Sequence, residues 1–288
     1  MNKSCLIGFL MCSAFSLVVQ AATDGAHITK TISQIERKKG IKRTIQYRPD
    51  GNDFVCVNGK NRYTRALYGG ITDFRIETSD RPVFAAYKPK DSKHICFRLQ
   101  CGNQSIALDS LKFCEARYRA GRRTYRLTDP LLGKGELNIS VLAFPDAEGG
   151  IWRFTMKDMP EGALLHCYIS EIRAKNLSRN GDMGADRADS FDAPQLPKEQ
   201  KHYKLSLDGT TAYIVVEDQE LRLPALVEGT SLYDKSEKWR SEIESSLQIS
   251  TPDPYFNPLG GALAAAADGI WDGKIWLHGA IGWRSQLN

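Results

Sequence analysis

The residue types best suited to chemistry in this chain are concentrated in its last stretch. Three of its five tryptophans lie there, Trp271, Trp276 and Trp283, together with His278 and Arg284. Tryptophan faces stack on the apolar C–H side of sugar rings. We therefore expect Trp271, His278, Trp283 and Arg284 to contact a saccharide. Core packing is the alternative for each ring, and it is the interpretation we favour for Trp276; for His278 the alternative is a hydrogen-bonded histidine at a domain interface.

Carboxylates form the second group of candidates in the same stretch. Glycoside hydrolysis needs two positioned carboxyl groups on either side of the scissile bond, and Asp253, Asp268 and Asp272 are available. Asp253 stands between two prolines and is a candidate for sugar contact, although its position also suits a side chain that anchors a turn. Asp268 suits a helix end or a bond to a backbone N–H. The sequence assigns no catalytic pair.

An acidic loop over 180–192 is the place where the sequence suggests a metal ion. It carries Asp182, Asp186, Asp189 and Asp192, and oxygen-rich loops bind calcium. The spacing differs from that of an EF-hand, so two alternatives stand beside calcium: a solvated surface loop, and a loop that reaches a neighbouring domain's site. We expect no other cofactor, since no zinc-ligand spacing, phosphate-binding glycine loop or G-x-S-x-G motif occurs.

The cysteines do not form a complete disulfide framework. Seven occur, of which two lie in the apolar N-terminal run, and the remaining five are an odd number. Cys96, Cys114 and Cys167 sit in alternating apolar runs, where a free thiol behaves as a small buried hydrophobe. One bridge, from Cys96 or Cys101 to Cys114, is the alternative in an oxidising compartment.

The N-terminus predicts export. A single lysine precedes an apolar run, and Val19-Gln20-Ala21 offers the small-x-small pattern that signal peptidase reads. We expect a signal peptide over 1–22, cleaved near Ala21 or Ala22, and a periplasmic or extracellular protein. A lipid anchor at Cys12 is the alternative, opposed by the bulky residue before it. The run is shorter than the about 20 apolar residues of a membrane span, so we expect none.

The charge balance argues against a nucleic-acid partner. The chain has 39 basic and 34 acidic residues, a formal net charge of +5, which is modest for its length. Its basic clusters are short, and no aromatic residues alternate with them as a base-stacking platform requires.

Period-two alternation of apolar residues runs from about residue 43 to 223. Alternation separated by turn residues predicts short antiparallel strands, and many such strands favour a mainly β fold, a β-sandwich of two antiparallel sheets over 23–229. The expected strands cover 44–48, 54–57, 74–77, 83–87, 94–99, 113–119, 123–127, 137–143, 152–156, 164–172, 203–207 and 213–216.

Helical periodicity replaces this alternation after the sandwich. Asp234 and Glu237 fit a capping box, and apolar residues then recur every four positions at Trp239, Ile243 and Leu247. We therefore expect a linker helix over 230–250.

Two further helices are expected in the segment 251–288. Asn257 is a good N-cap and Pro258 suits the first helical position, so a helix of very small residues should cover 259–267. Its glycines and alanines would allow close approach of a neighbouring helix. A last helix is expected over 277–284.

The order of these segments resembles a known superfamily. The motifs are T-P-D-P-x-x-N at 251–257, D-G-x-W-x-G at 268–273, H-G-A at 278–280 and W-R at 283–284. A sandwich, a linker helix and these motifs are similar to the entry of the (α/α)6 toroid in six-hairpin glycosidases. The pattern at 61–70 and the acidic loop resemble an uncharacterised family of bacterial polysaccharide-utilisation proteins, a domain of unknown function.

The resemblance implies a protein of polysaccharide breakdown with a poly- or oligosaccharide as its partner. Such toroids hold many more helices than this sequence predicts, so 251–288 would be the first helices of a truncated toroid. We expect the non-catalytic N-terminal portion of an exported glycoside-hydrolase-like protein, inactive alone. The alternatives are a stand-alone carbohydrate-binding sandwich and a docking module for a separately encoded helical catalytic domain.

Overall fold

The computed structural model describes residues 46–61, 63–88, 93–171 and 202–277. Several predicted features lie outside these residues: the leader at 1–22, the acidic loop with Asp182, Asp186, Asp189 and Asp192, and the site candidates His278, Trp283 and Arg284. The helix expected over 277–284 lies outside them too, apart from Leu277.

The described part of the chain contains fifteen strands and two α-helices. The strands are Arg48–Asp50 (β1), Asp53–Val57 (β2), Tyr63–Tyr68 (β3), Arg75–Ser79 (β4), Phe84–Tyr87 (β5), Lys93–Cys101 (β6), Gln104–Ala107 (β7), Phe113–Arg119 (β8), Arg122–Thr128 (β9), Glu136–Ala143 (β10), Gly149–Lys157 (β11), Leu164–Glu171 (β12), His202–Ser206 (β13), Thr211–Glu217 (β14) and Glu220–Arg222 (β15). The helices are Leu226–Ser245 (α1) and Leu259–Gly269 (α2), and short 3-10 turns cover Leu108–Ser110 and Pro130–Leu132.

These strands form two antiparallel sheets, as the sequence predicts. One sheet runs in the order β1-β2-β8-β9-β10-β11-β14-β15, and the other in the order β13-β12-β6-β5-β4-β3, with β7 also paired to β6. The hairpin between β8 and β9 turns at Ala120 and Gly121, whose φ angles of 35° and 87° are positive. Glycine adopts such an angle without strain, which suits Gly121 to this tight connection.

The core lies between the two sheets and is organised around aromatic rings. Burial alternates along β8 and β9, as period-two patterning requires. The Phe84 ring meets Phe97, Tyr125 and Trp152 edge-on, with centroids 5.5–5.6 Å apart. This is the geometry that aromatic quadrupoles favour.

One core-facing position holds an arginine. Arg123 is fully buried; its Nη2 donates to the Tyr47 hydroxyl at 2.7 Å and to the Ser79 carbonyl at 2.9 Å. The Tyr125 hydroxyl donates to the same carbonyl at 2.6 Å. A buried charge is tolerated only when it is hydrogen-bonded, and these contacts supply part of that compensation, although Nη1 has no hydrogen-bond partner among the described residues.

The five cysteines after residue 22 are all free. Cys56, Cys96, Cys114 and Cys167 are buried and Cys101 is partly buried. The buried-hydrophobe interpretation is therefore confirmed, and the alternative bridge from Cys96 or Cys101 to Cys114 is not formed.

The helix start predicted from the capping box is wrong. Helix α1 begins at Leu226 after Ala225, which makes no side-chain capping bond, so Asp234 and Glu237 lie well inside it. The cause is packing on the outer face of the first sheet, where Gly229 and Tyr233 are buried. A Cβ on Gly229 would lie 2.4 Å from Tyr213 Cδ2, so only glycine permits this approach. No helix within the described residues is long and apolar enough to cross a membrane.

Candidate functional site

The candidate site is a groove along the contact between α1 and α2, and small residues create that contact. A Cβ on Gly260 would lie 2.7 Å from the Leu247 carbonyl oxygen, and one on Gly261 would lie 2.9 Å from Glu244 Cγ. Both distances are too short for any larger residue without movement. The close approach expected from the small residues of α2 is therefore confirmed.

The turn that joins the helices fixes their relative position. Asn257 Oδ1 accepts from the Thr251 N–H at 2.8 Å, and Asn257 Nδ2 donates to the Thr251 carbonyl at 3.2 Å. Asn257 is therefore a turn residue, and the N-cap that we predicted there is Pro258 instead. Asp253 Oδ1 accepts from the Tyr255 N–H at 2.9 Å, which confirms the turn-anchoring alternative for this carboxylate.

Two tryptophans border the groove after α2. Trp271 and Trp276 form an isolated antiparallel bridge, and their ring centroids lie 4.6 Å apart at an interplanar angle of 48°. Asp272 Oδ1 accepts from the N–H groups of Lys274 and Ile275 at 2.9 and 2.8 Å, which closes the intervening loop. Trp271 is 37 % exposed and Trp276 is 54 % exposed, so the core packing predicted for Trp276 is wrong.

The groove itself is open and largely apolar, with a volume of about 770 Å³. Trp239 and Ile243 of α1 and Leu263 of α2 line it together with Trp271 and Trp276. Since three indole rings surround one opening, the groove offers the flat apolar faces on which sugar rings stack.

Two carboxylates supply its polarity. Glu242 projects from α1 and Asp268 from the last turn of α2, and both line the groove. Partial burial raises the pKa of Asp268 above its ordinary value. Asp268 was expected to cap the end of a helix. In the structure its backbone carbonyl oxygen does so by accepting from the Trp271 N–H at 3.0 Å. Carboxylates beside aromatic faces can accept hydrogen bonds from sugar hydroxyls.

Ion pairs hold α1, and with it the groove, on the β8–β9 hairpin. Arg119 Nε lies 2.7 Å from Glu244 Oε1, and Arg122 Nη1 lies 2.8 Å from Glu237 Oε1. The buried Arg240 pairs with both glutamates at 2.7 Å. Burial alone would raise the pKa of Glu244, but hydrogen bonds from Arg119 and Arg240 outweigh it and hold that pKa below its ordinary value.

Of the site residues predicted from the sequence, Trp271 lines the groove, and Asp253 is hydrogen-bonded within the turn between the helices. His278, Trp283 and Arg284 lie outside the described residues, as do the four calcium candidates. Within the described ranges, no group of three or more potential ligands could hold a metal ion. Sequence reasoning missed Trp239 and Glu242, because the four-residue repeat of α1 assigns Trp239 to a core-facing stripe.

Comparison with known proteins finds a similarity within the β-sandwich. A family model described as a domain of unknown function (DUF4450) matches residues 89–217. The chain is similar to this family over β6 to β14, which is less than half of its length. The expected resemblance to a domain of unknown function is confirmed to that extent, and the resemblance to six-hairpin glycosidases stays a prediction. No curated protein matches the chain.

Proposed function

We propose that this chain is a non-catalytic, carbohydrate-binding portion of an exported glycoside-hydrolase-like protein of polysaccharide breakdown. The observation that carries the proposal is the exposed pair Trp271 and Trp276, whose rings face an open groove beside Trp239. Exposed clusters of large apolar side chains mark interaction sites. Indole faces with neighbouring carboxylates match the alternating apolar and hydroxyl surfaces of a sugar.

The carboxylates that line the groove suit the binding of a saccharide but not its hydrolysis. Hydrolysis needs two carboxyl groups held rigidly on opposite sides of the bond. Glu242 lies exposed on α1, and its carboxylate accepts no hydrogen bond from the described residues. A carboxylate without such support does not fix the geometry that glycosidic cleavage demands.

Two sequence features support the wider setting. The predicted leader over 1–22 supports export, which is where polysaccharides are met. The resemblance of 251–288 to the entry of a six-hairpin toroid supports a glycoside-hydrolase-like parent protein. The match to a domain of unknown function adds no activity to either argument.

The test is glycan binding measured by calorimetry across neutral and acidic oligosaccharides. We expect saturable binding, and Trp276→Ala should weaken it about two- to tenfold, since one stacked aromatic contributes about 0.5–1.5 kcal/mol. Val227→Ala removes another exposed apolar side chain from the first turn of α1 and serves as the matched control. Absence of binding to every glycan, or release of reducing sugar by the chain alone, would contradict the proposal.

A second candidate function is docking of a separately encoded helical domain. The observation in its favour is that Leu247, Leu263, Trp271 and Trp276 are all exposed along the same groove. Docking predicts association of the isolated chain, seen by light scattering and removed by Trp276→Ala, together with no glycan binding. A monodisperse monomer that binds glycan would favour the first function.

A further inference from the structure

A separate cleft lies between the α1–α2 pair and the sandwich, with a volume of about 300 Å³. This is at the lower end of the about 300–1,000 Å³ typical of small-molecule sites. Tyr68 and Tyr118 of the sandwich line one side, and Leu263 and Asp268 of α2 line another. Asp268 also borders the groove, so a ligand lying in the groove can extend into the cleft.

Arg65 is the distinctive side chain of this cleft. Its guanidinium carbon lies 5.5 Å from the ring centroid of Tyr47, 5.8 Å from that of Phe54 and 5.2 Å from that of Tyr118. Nη1 donates to the Thr64 carbonyl oxygen at 2.6 Å. Aromatic rings attract and orient the cation, but they leave its net charge uncompensated.

No carboxylate among the described residues pairs with Arg65 within 4.0 Å. The other arginine that lines the cleft, Arg240, is neutralised by Glu237 and Glu244. Among the described lining residues the cleft therefore offers one uncompensated cation, with a planar fork of N–H donors that matches a carboxylate.

We propose that this cleft binds the carboxylate of a uronic-acid residue, with Arg65 as the specificity-determining contact. The inference rests on the proposed function, because it names the class of saccharide that the neighbouring groove would bind. A monoanionic carboxylate matches the single free cation, whereas Asp268 would repel the two charges of a phosphate more strongly than the one charge of a carboxylate. The ring hydroxyls of the same sugar donate to Asp268, and its C–H face packs on Tyr68.

The experiment compares each acidic oligosaccharide with its own methyl ester, which keeps the shape and removes the charge. Galacturonate, glucuronate and mannuronate oligomers are titrated into the protein by calorimetry. We expect at least one acid to bind tenfold or more tightly than its ester, with a preference that falls as salt is added. Arg65→Gln should lower the affinity for the acidic oligosaccharide to that for its methyl ester. The affinity for the ester should not change.

Two further variants keep the result interpretable. Lys157→Gln removes an exposed positive charge from β11 and should leave the acid preference intact. Arg65→Lys keeps the charge over the rings and should retain part of the preference, and thermal melting checks that each variant is folded. Equal binding of acids and esters, or a preserved preference in Arg65→Gln, would overturn this inference while the groove's saccharide binding still stood. If no glycan of any kind binds, the proposed function itself fails.

Discussion

At the scale of single residues, His94 couples the fold to pH. It is 3 % exposed in β6, and burial lowers the pKa of its imidazole from 6.5 to about 4. Between these values the unfolded chain binds a proton that the folded chain does not, so stability falls as the pH falls. By linkage, the loss from pH 7 to pH 4 should be on the order of 3 kcal/mol.

Urea unfolding at pH 7 and pH 4 measures this loss. His94→Gln should be clearly less sensitive to pH, since glutamine does not titrate. The same pH sensitivity in His94→Gln and the parent would assign the effect to other groups.

The candidate site shows what residue types alone can predict. The stacking role expected for Trp271 agrees with its exposure, because a tryptophan after a helix of small residues has little to cover it. Trp276 has the same composition around it, yet its exposure could not be predicted, since it depends on the Asp272 loop that turns the ring outward. Arg65 belongs to the family-like pattern at 61–70, but its role in the cleft could not be predicted, because its aromatic neighbours come from β2, β8 and the segment before β1.

At the scale of elements, the attachment of α1 depends on Arg240. Its side chain is 6 % exposed and bonds to Glu237, Glu244 and the Ala120 carbonyl oxygen. Arg240→Met leaves Glu237 and Glu244 with one arginine each and removes a donor from the Ala120 carbonyl oxygen, so it should cost about 2 kcal/mol. The exposed ion pair between Lys235 of the same helix and Asp146 of the β10–β11 turn is the control, and Lys235→Met should cost about 0.5 kcal/mol.

Hydrogen exchange distinguishes a local effect from a global one. In Arg240→Met the amides of α1 should lose protection before those of β9 and β10, because the helix detaches while the sandwich persists. Equal costs for the two variants, or uniform loss of protection, would show that the ion pairs do not hold α1 in place.

The helix boundary illustrates where element prediction fails. The capping box at Asp234 is a local signal worth about 1 kcal/mol. Extension of α1 to Leu226 buries Tyr233 and adds the bond between the Tyr233 and Ser140 hydroxyls at 2.7 Å. The sandwich surface thus outweighs the local cap, and a single sequence does not reveal that surface.

At the scale of the whole molecule, alternation was sufficient to predict two antiparallel sheets and their hairpins. It did not predict β3, β7 or β15, which are short or lack a clear period, and β1 covers Arg48–Asp50 instead of the expected 44–48. Strand order was also beyond the sequence, since alternation tells which face of a strand is buried but not which strand lies beside it. Strand β14 pairs with β11, although β12, the acidic loop and β13 separate the two strands in the sequence.

The free thiols test whether the two sheets stay together. Burial raises the pKa of Cys96 and of Cys114 to about 12, and that of Cys167 well above its ordinary value, so few thiolates form at pH 8. In the folded chain lacking residues 1–22, Cys101 alone should react slowly with an aromatic disulfide reagent, and the four buried thiols should react together only on unfolding. Cys101→Ser should abolish the native reaction and leave the unfolding-dependent one. Reaction of further thiols without unfolding would mean that the sandwich opens in solution, because only separation of the packed strands exposes Cys114 and Cys167 to the reagent.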